Sequence, residues 1–252
     1  MEATYDRIGS NYQAARLADS RIFEALQTQL CSAQSVLNIG AGTGSYEPPG
    51  RNVVALEPSS VMIAQRPESA SPVVQGYAEA LPFRDNAFDV AMGVLTLHHW
   101  NDWERGLAEA ARVAGGSVVL LTWIGFVQHF WLADYFPEIE ELDNTRFPSI
   151  EDYQMVLGEI EVIEVPIPQD CTDGFMCAYW QRPNAYLDPQ VRNSISTFAM
   201  MSNQTPALGR LEDDLATGRW HQKYGELLSY TSYDYGYRII KSSGPIGHRN
   251  SR

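Results

Sequence analysis

Apolar residues in the first half of the chain fall into short runs separated by a stretch with helical spacing. Two runs, Ser35–Ile39 and 52–56, end in turn residues and are typical of buried strands. Two longer runs, 87–95 and 117–123, predict further strands, and Trp103–Val113 between them has apolar residues at helical spacing. Buried strands that alternate with helices predict a parallel α/β sheet.

Helix signals dominate the second half of the chain. Ser149 and Asp152 have the spacing of a capping box, before a helix that Gly158 can end. Asp188 and Thr205 each precede a proline, and a capping residue followed by proline is a common helix start. We therefore expect several short helices after residue 125.

Two alternating segments in this second half, 161–167 and 233–240, predict a pair of edge strands. The sheet is then mostly parallel with an antiparallel end, and the helical residues 171–232 are inserted between the two strands. We expect one domain, 1–252, made of these parts: N-terminal lid helices (1–32), a core (33–125), a mainly helical cap with one strand near 161–167 (126–232), a last strand (233–243) and a disordered tail (244–252).

Composition narrows the possible partners. The 252 residues include 18 Lys and Arg against 31 Asp and Glu, a net charge of −13, which disfavours binding to the phosphates of nucleic acid. The N-terminus lacks the pattern of a signal peptide, and no apolar run approaches the ~20 residues of a membrane span, so we expect a cytoplasmic protein. The three cysteines are scattered and no compact cluster of metal ligands is evident, which predicts no metal.

A glycine-spaced turn follows the first strand. In residues 40–44 every second residue is glycine, which lets backbone N–H groups approach a ligand closely. Ser45 stands where a dinucleotide fingerprint has Gly or Ala, and Pro48 and Pro49 leave little room for a helix that could hold a pyrophosphate. A nucleoside ligand without phosphates suits this turn better than a dinucleotide.

Carboxylate and imidazole groups fall at the ends of two predicted strands. Glu57 ends the second strand, where a carboxylate can accept both hydroxyls of a ribose; the alternative is a solvated turn residue. His98 and His99 follow the fourth strand, and a histidine with its ordinary pKa of about 6.5 can take a proton near neutral pH. The alternative is that one of these histidines only packs or hydrogen-bonds within its loop.

Four segments taken together, 38–44, 56–62, 76–83 and 95–100, resemble the class I S-adenosylmethionine-dependent methyltransferases. The resemblance covers about residues 33–125 and is closest to the small-molecule branch that includes the quinone-biosynthesis methyltransferases. It implies a Rossmann-like fold with a seven-stranded sheet, S-adenosylmethionine as cofactor and a small molecule as methyl acceptor.

The resemblance also implies a set of cofactor-binding residues. The glycine turn would surround the methionine part, Glu57 would hold the ribose and Met62 would pack on the adenine. Tyr77 stands where the family usually has aspartate, and Asn38 replaces an acidic residue. The full set is Tyr12, Arg16, Asn38, Gly40, Ala41, Gly42, Glu57, Pro58, Met62, Tyr77, Ala78, Glu79 and Leu95.

Two parts of this interpretation have direct alternatives. Tyr12 and Arg16 resemble lid residues that reach the cofactor carboxylate, or they belong to a surface helix with a solvated arginine. Aromatic residues of the cap either line an apolar substrate pocket or form the core of the cap: Phe126, Phe130, Trp131, Tyr135, Phe175, Tyr179, Trp180 and Tyr186.

Methyl transfer to a small molecule is the function that this sequence favours, with His98 and His99 as candidate bases. One alternative is a protein that uses the cofactor to promote a cyclisation without methyl transfer. Another is a non-catalytic cofactor-binding module. Oxygen, nitrogen, carbon and sulfur all stay open as the methylated atom, and so does the oligomeric state.

Overall fold

A seven-stranded sheet forms the centre of the structure, a computed structural model that describes residues 16–243. The strands in chain order are β1 (Ser35–Ile39), β2 (Asn52–Glu57), β3 (Val73–Gln75), β4 (Phe88–Val94), β5 (Ala114–Trp123), β6 (Ile160–Glu164), β7 (Ile167–Pro168), β8 (Ser232–Tyr233) and β9 (Tyr237–Ser242). The main sheet has the order β3-β2-β1-β4-β5-β9-β6, while β7 and β8 form a separate antiparallel pair. The first five strands run parallel and β9 is antiparallel to both of its neighbours, so the predicted mostly parallel sheet with an antiparallel end is confirmed.

The central strands are buried on both faces, which explains their continuous apolar runs. In β5, Val119 and Leu121 enter one core cluster, and Val118 and Leu120 enter the other. The strands predicted at 35–39, 52–56, 87–95 and 117–123 are confirmed to within a few residues. The three-residue strand β3 was not predicted, because it lies at the sheet edge and is too short for a period-two pattern.

Helices cover both faces of the sheet. In chain order they are α1 (Ser20–Gln29), α2 (Ser60–Ala64), α3 (Trp103–Val113), α4 (Glu138–Asn144), α5 (Ile150–Leu157), α6 (Pro189–Asn193), α7 (Ser196–Met200), α8 (Thr205–Ala216) and α9 (Arg219–Tyr224). The helix predicted at 103–113 has the same bounds in α3, and its buried side follows the apolar spacing. Helix α1 packs on the face that also carries most of the helical cap, residues 126–232, whereas α3 and α5 pack on the opposite face.

The predicted capping residues were right in two places and wrong in one. Ser149 and Asp152 form the capping box at the start of α5, and Gly158 ends that helix with a φ of 77°. The Asp188 side chain accepts a hydrogen bond from the backbone of residue 190 at the start of α6. Thr205 is not a cap: it is the first helical residue of α8, and the residue before it already has a helical backbone.

Both segments predicted as single late strands are divided. Residues 161–167 form β6 and β7 with Pro166 between them, because proline cannot donate a hydrogen bond to a sheet ladder. Residues 233–240 are divided by a turn in which Gly236 has a φ of 89° and donates its N–H to Asp234 Oδ1. The expectation of two edge strands was also wrong, since β9 lies inside the sheet between β5 and β6.

A polar contact ties the start of β1 to its neighbour. Asp89 Oδ2, on β4, accepts hydrogen bonds from the backbone N–H groups of Gln34 and Ser35 at 2.7 and 2.8 Å. These bonds lower the pKa of Asp89. Asp89 thus helps to set the register of the two strands and faces away from the carboxyl edge of the sheet.

Predictions that concern residues 1–15 and 244–252 lie outside the described residues; they include Tyr12, part of the lid and the tail. Among residues 16–243, none of the helices has the length and apolar character that a membrane span requires.

Candidate active site

The glycine turn lies at the carboxyl end of β1 and has the conformation that glycine permits. Gly40 and Gly42 have φ values of 65° and 54°. A Cβ on Gly40 would lie 1.8 Å from Oγ1 of Thr96, so no larger residue fits there. The N–H groups of Gly40 and Ala41 donate to the carbonyl of Leu56, which folds the turn back against β2.

Glu57 is a buried carboxylate beside this turn. Its Oε2 accepts a hydrogen bond from Gly42 N at 2.8 Å, and its Oε1 accepts one from Ser59 N at 2.9 Å. The residue is 4% exposed, so the alternative of a solvated turn residue is wrong. Both oxygens of Glu57 lie beside the turn, and carboxylate oxygens are acceptors for hydroxyl groups such as those of a ribose.

The other predicted cofactor residues follow the ends of adjacent strands. Met62 is buried in α2, and its Cε lies 3.3 Å from the position that a Cβ would take on Gly42. Tyr77 is partly exposed, Ala78 is buried after β3, and Leu95 follows β4 with a φ of 49°. Because β3, β2, β1 and β4 are parallel neighbours, their carboxyl ends form one edge, where open α/β sheets bind ligands.

Three other residues predicted to bind the cofactor are buried in a strand or make hydrogen bonds to other parts of the protein. Asn38 is buried within β1, two residues before the first glycine of the turn. Glu79 Oε1 accepts hydrogen bonds from the N–H groups of Asn101 and Asp102 at 2.6 and 3.2 Å, so it supports the start of α3. Pro58 follows Glu57 directly, and its carbonyl accepts a hydrogen bond from the Gln75 side chain.

A buried ion pair that no local sequence pattern indicates supports the glycine turn. No helix lies between β1 and β2, which agrees with the space limit expected from the two prolines. The Arg66 side chain supports the turn in place of a helix. Its Nη1 donates a hydrogen bond to the Gly42 carbonyl, and its Nη2 donates one to the Ser71 carbonyl, each at 3.0 Å. Nη2 also forms an ion pair with Glu47. Glu47 Oε2 accepts from Ser71 N at 2.8 Å. The Arg66 and Glu47 side chains are 5% and 9% exposed.

Arg16 joins the glycine turn to the helical cap. Its Nε donates to Asp173 Oδ1 at 2.5 Å, and Tyr46 OH donates to Asp173 Oδ2 at 3.0 Å. Burial, reinforced by the Asp173 carboxylate, raises the pKa of Tyr46. The Arg16 side chain is 11% exposed, so the alternative of a solvated surface arginine is wrong.

A pocket lies between the ends of β4 and β5 and the helical cap. Trp123, Phe126, Phe147, Phe175 and Tyr237 supply much of its aromatic wall. The polar part of the wall comes from Arg16, Asp143, Arg146, Ser194, Ser196 and Thr197.

The aromatic residues predicted in the cap divide between the two interpretations offered for them. Phe126 and Phe175 line the pocket. The other six belong to the core of the cap or pack against it: Phe130, Trp131, Tyr135, Tyr179, Trp180 and Tyr186.

The histidine pair follows β4, and only His98 lines the pocket. The two imidazole rings are 3.9 Å apart, and His98 stacks on Phe147 at 4.6 Å. Burial, followed by the positive charges of Arg146 and Arg16, lowers the pKa of His99 to about 3. Burial likewise lowers the pKa of His98. The ordinary histidine pKa expected from the sequence is therefore wrong for both residues, and both imidazoles are neutral at pH 7.

Comparisons with known proteins point to one family. The sequence profile of the family described as "Methyltransferase domain" matches residues 37–121. A putative methyltransferase from an antibiotic biosynthesis pathway of Anabaena variabilis is similar in structure, with a TM-score of 0.84 and 34% identity. That match covers 90% of this chain and 98% of the Anabaena protein.

Two curated relatives match over shorter segments. The demethylmenaquinone methyltransferase of Renibacterium salmoninarum is 38% identical over 95 residues, 34% of this chain and 40% of that protein. The chloroplastic 2-methyl-6-phytyl-1,4-hydroquinone methyltransferase of Spinacia oleracea is 32% identical over 132 residues, 47% of this chain and 36% of that protein. The chain thus matches less than half the length of these two relatives.

Proposed function

This chain belongs to the class I S-adenosylmethionine-dependent methyltransferases, and we propose that it methylates a small molecule held in the pocket between the sheet and the helical cap. One observation carries the proposal. The buried Glu57 carboxylate is fixed on the glycine turn, and the pocket begins at the ends of the next two strands along the sheet. A ribose bound by Glu57 would place its nucleoside next to this pocket, where a second molecule could bind.

The residues at this edge fit the cofactor that the family uses. The lack of a Cβ at Gly40 and Gly42 lets the turn lie close against Thr96 and Met62. Beside this turn, Glu57 offers acceptors for the ribose, and Met62 offers an apolar surface for the base. S-adenosylmethionine supplies an activated methyl group when it is bound. We propose further cofactor contacts from Tyr12, Arg16, Asn38, Pro58, Tyr77, Ala78, Glu79 and Leu95.

The pocket residues would orient the acceptor and keep water away. Alignment of a nucleophile accounts for much of the rate of such a displacement, and the aromatic wall favours a substrate with an apolar or aromatic body. His98 is neutral and faces the pocket, so it is our proposed proton acceptor for a nucleophile that arrives protonated. His99 does not line the pocket but its ring contacts that of His98, so its proposed role is to position His98.

The charge of the chain supports a small-molecule substrate in place of nucleic acid. With 18 basic and 31 acidic residues, the net negative charge of the chain disfavours binding to a phosphate backbone. A cytoplasmic location and a single functional unit over residues 1–252 belong to the same proposal.

Titration calorimetry with S-adenosylhomocysteine tests the cofactor part of the proposal. We expect specific binding, and tighter or equal binding of NAD would contradict it. Glu57→Gln should weaken binding by roughly ten-fold or more, since a hydrogen bond to a charged group contributes ~1.5–3 kcal/mol. Glu68→Ala, at an exposed glutamate between α2 and β3, is the control and should bind normally.

Mass spectrometry of S-adenosylhomocysteine formed from S-adenosylmethionine with a panel of candidate metabolites tests the transfer step. Methylated product and S-adenosylhomocysteine should appear in equal amounts. Conversion of a metabolite without S-adenosylhomocysteine would indicate a cyclisation, and binding without conversion of any metabolite would indicate a non-catalytic module.

A further inference from the structure

Asp143 is a buried carboxylate in the wall of the pocket whose two oxygens differ in their surroundings. The residue is 6% exposed. Its Oδ1 accepts hydrogen bonds from Thr197 Oγ1 at 2.9 Å and from Arg146 Nη1 at 3.3 Å. From residue 16 to residue 243, no group donates a hydrogen bond to its Oδ2.

Oδ2 of Asp143 is not among the fully buried side-chain atoms that lack a partner, so a donor from solvent or from a ligand in the pocket can reach it. Burial raises the pKa of Asp143, although Thr197 and Arg146 act in the opposite direction. The protein stabilises one oxygen of the carboxylate and leaves the other beside the cavity. A donor group that entered the pocket would satisfy this oxygen.

A second acceptor lies in the same pocket. His98 Nδ1 is buried and has no hydrogen-bond partner within the described part of the chain. A neutral imidazole has one nitrogen that can accept a hydrogen bond. His98 Nδ1 can therefore accept a hydrogen bond in the same pocket as Asp143, and the surrounding wall of Trp123, Phe147 and Tyr237 is aromatic.

We propose that Asp143 selects a substrate that carries a hydroxyl or amine group on an aromatic body, with that group donating a hydrogen bond to Asp143 Oδ2. The ring of the substrate packs against the aromatic wall of the pocket. This inference rests on the proposed function, since it assigns the pocket to the methyl acceptor. Asp143 is then a specificity-determining residue on the opposite side of the pocket from the sheet.

Matched probes test the inference in the complex with S-adenosylhomocysteine, whose binding is measured first. The pair p-cresol and 4-methylanisole differ only in that the second has a methyl group in place of the hydroxyl hydrogen. Calorimetry should show that p-cresol binds roughly ten-fold or more tightly than 4-methylanisole, because only p-cresol can donate to a carboxylate. Benzylamine, a cationic donor, and benzoate, which can only accept, form a second pair that separates a donor from an acceptor, and the comparison of benzylamine with p-cresol separates the amine from the hydroxyl.

Asp143→Asn gives a result that a purely structural role would not produce. Thr197 and Arg146 both donate, so the amide oxygen should stay at the Oδ1 position and the NH₂ group should take the place of Oδ2. The variant should lose its preference for p-cresol, bind benzylamine more weakly by about ten-fold and bind benzoate more tightly than the wild type. Asp213→Asn, at an exposed aspartate of α8 that does not line this pocket, should keep the wild-type preferences.

Several outcomes would overturn the inference. Equal binding of p-cresol and 4-methylanisole by the wild-type complex would do so even if the Asn variant failed to fold. A folded Asp143→Asn protein with unchanged preferences, or a complex that binds neither p-cresol nor benzylamine, would do so as well. In all three cases S-adenosylhomocysteine still binds, whereas its failure to bind would instead refute the proposed function and the inference together.

Discussion

Replacing Arg66 with Met should weaken both the fold and the cofactor site, because Arg66 supports a glycine turn that no helix follows. The change removes the hydrogen bonds to the carbonyls of Gly42 and Ser71 and leaves Glu47 as a buried carboxylate without its cationic partner. Breaking a buried ion pair on one side typically costs ~3–5 kcal/mol. We expect the free energy of unfolding to fall by about that amount.

The Arg66→Met substitution should also weaken binding of the cofactor. Without the bond to its carbonyl, Gly42 is held by fewer hydrogen bonds, and the additional ordering of the turn on ligand binding reduces the affinity. We expect the dissociation constant of S-adenosylhomocysteine to rise roughly ten-fold, which corresponds to ~1.4 kcal/mol. Urea unfolding and titration calorimetry on the same preparations measure the two effects separately.

A second variant and a control sharpen this test. The double variant Arg66→Met with Glu47→Leu removes both charges, so it should recover part of the lost stability but not the lost affinity, since the bond to Gly42 stays absent. Arg219→Met breaks the ion pair with Asp214 at a surface position, where the Arg219 side chain is 55% exposed, and should cost less than ~1 kcal/mol. If Arg66→Met resembles Arg219→Met in stability and in affinity, the assigned role of Arg66 is wrong.

Three further predictions concern the histidines and metals. His98→Ala should slow methyl transfer by ~10²–10⁴-fold with little change in S-adenosylhomocysteine binding, provided that the nucleophile arrives protonated, and near-normal turnover would remove His98 as the base. Because the pKa of His99 is lowered from 6.5 to about 3, its neutral form contributes stability that is lost as the pH falls below 6.5. Urea unfolding should therefore show a lower free energy of unfolding at pH 5 than at pH 7, and His99→Gln should make this difference smaller by at most about 2 kcal/mol. The same difference in the variant and the wild type would contradict the lowered pKa of His99. EDTA should leave transfer unaffected, as no group of three or more potential metal ligands lies together within residues 16–243, and restoration of lost activity by Mg²⁺ would overturn this.

Local patterns in the sequence predicted the fold and, within the candidate site, the glycine turn and Glu57. The glycine turn, Glu57 and the helix at 103–113 are each specified by neighbours within a few residues, so they could be inferred without a structure. The division of 161–167 into two strands follows from Pro166, which is itself a local sequence feature. The prediction that Thr205 caps its helix was wrong by one residue, because the exact start of a helix is poorly specified by local sequence.

The rest of the site depends on long-range contacts that a sequence pattern does not contain. Arg66 meets Glu47 only because α2 folds back over the glycine turn. Asp143 had no distinguishing neighbours, and its place in the pocket follows from the contact with Thr197, far along the chain. The lowered pKa of His98 arises from burial against the cap, which the sequence could not supply.

The position of β9 inside the sheet sets an order of events during biosynthesis. Strand β6 pairs only with β9 among the described strands, and β9 also covers the open edge of β5. A ribosome makes the whole helical insertion after β6 and before β9. Until Tyr237–Ser242 emerges, β6 and the free edge of β5 therefore expose unpaired backbone groups, a state prone to aggregation. A nascent chain arrested just before Tyr237 should bind chaperones more strongly than one released after β9 has formed.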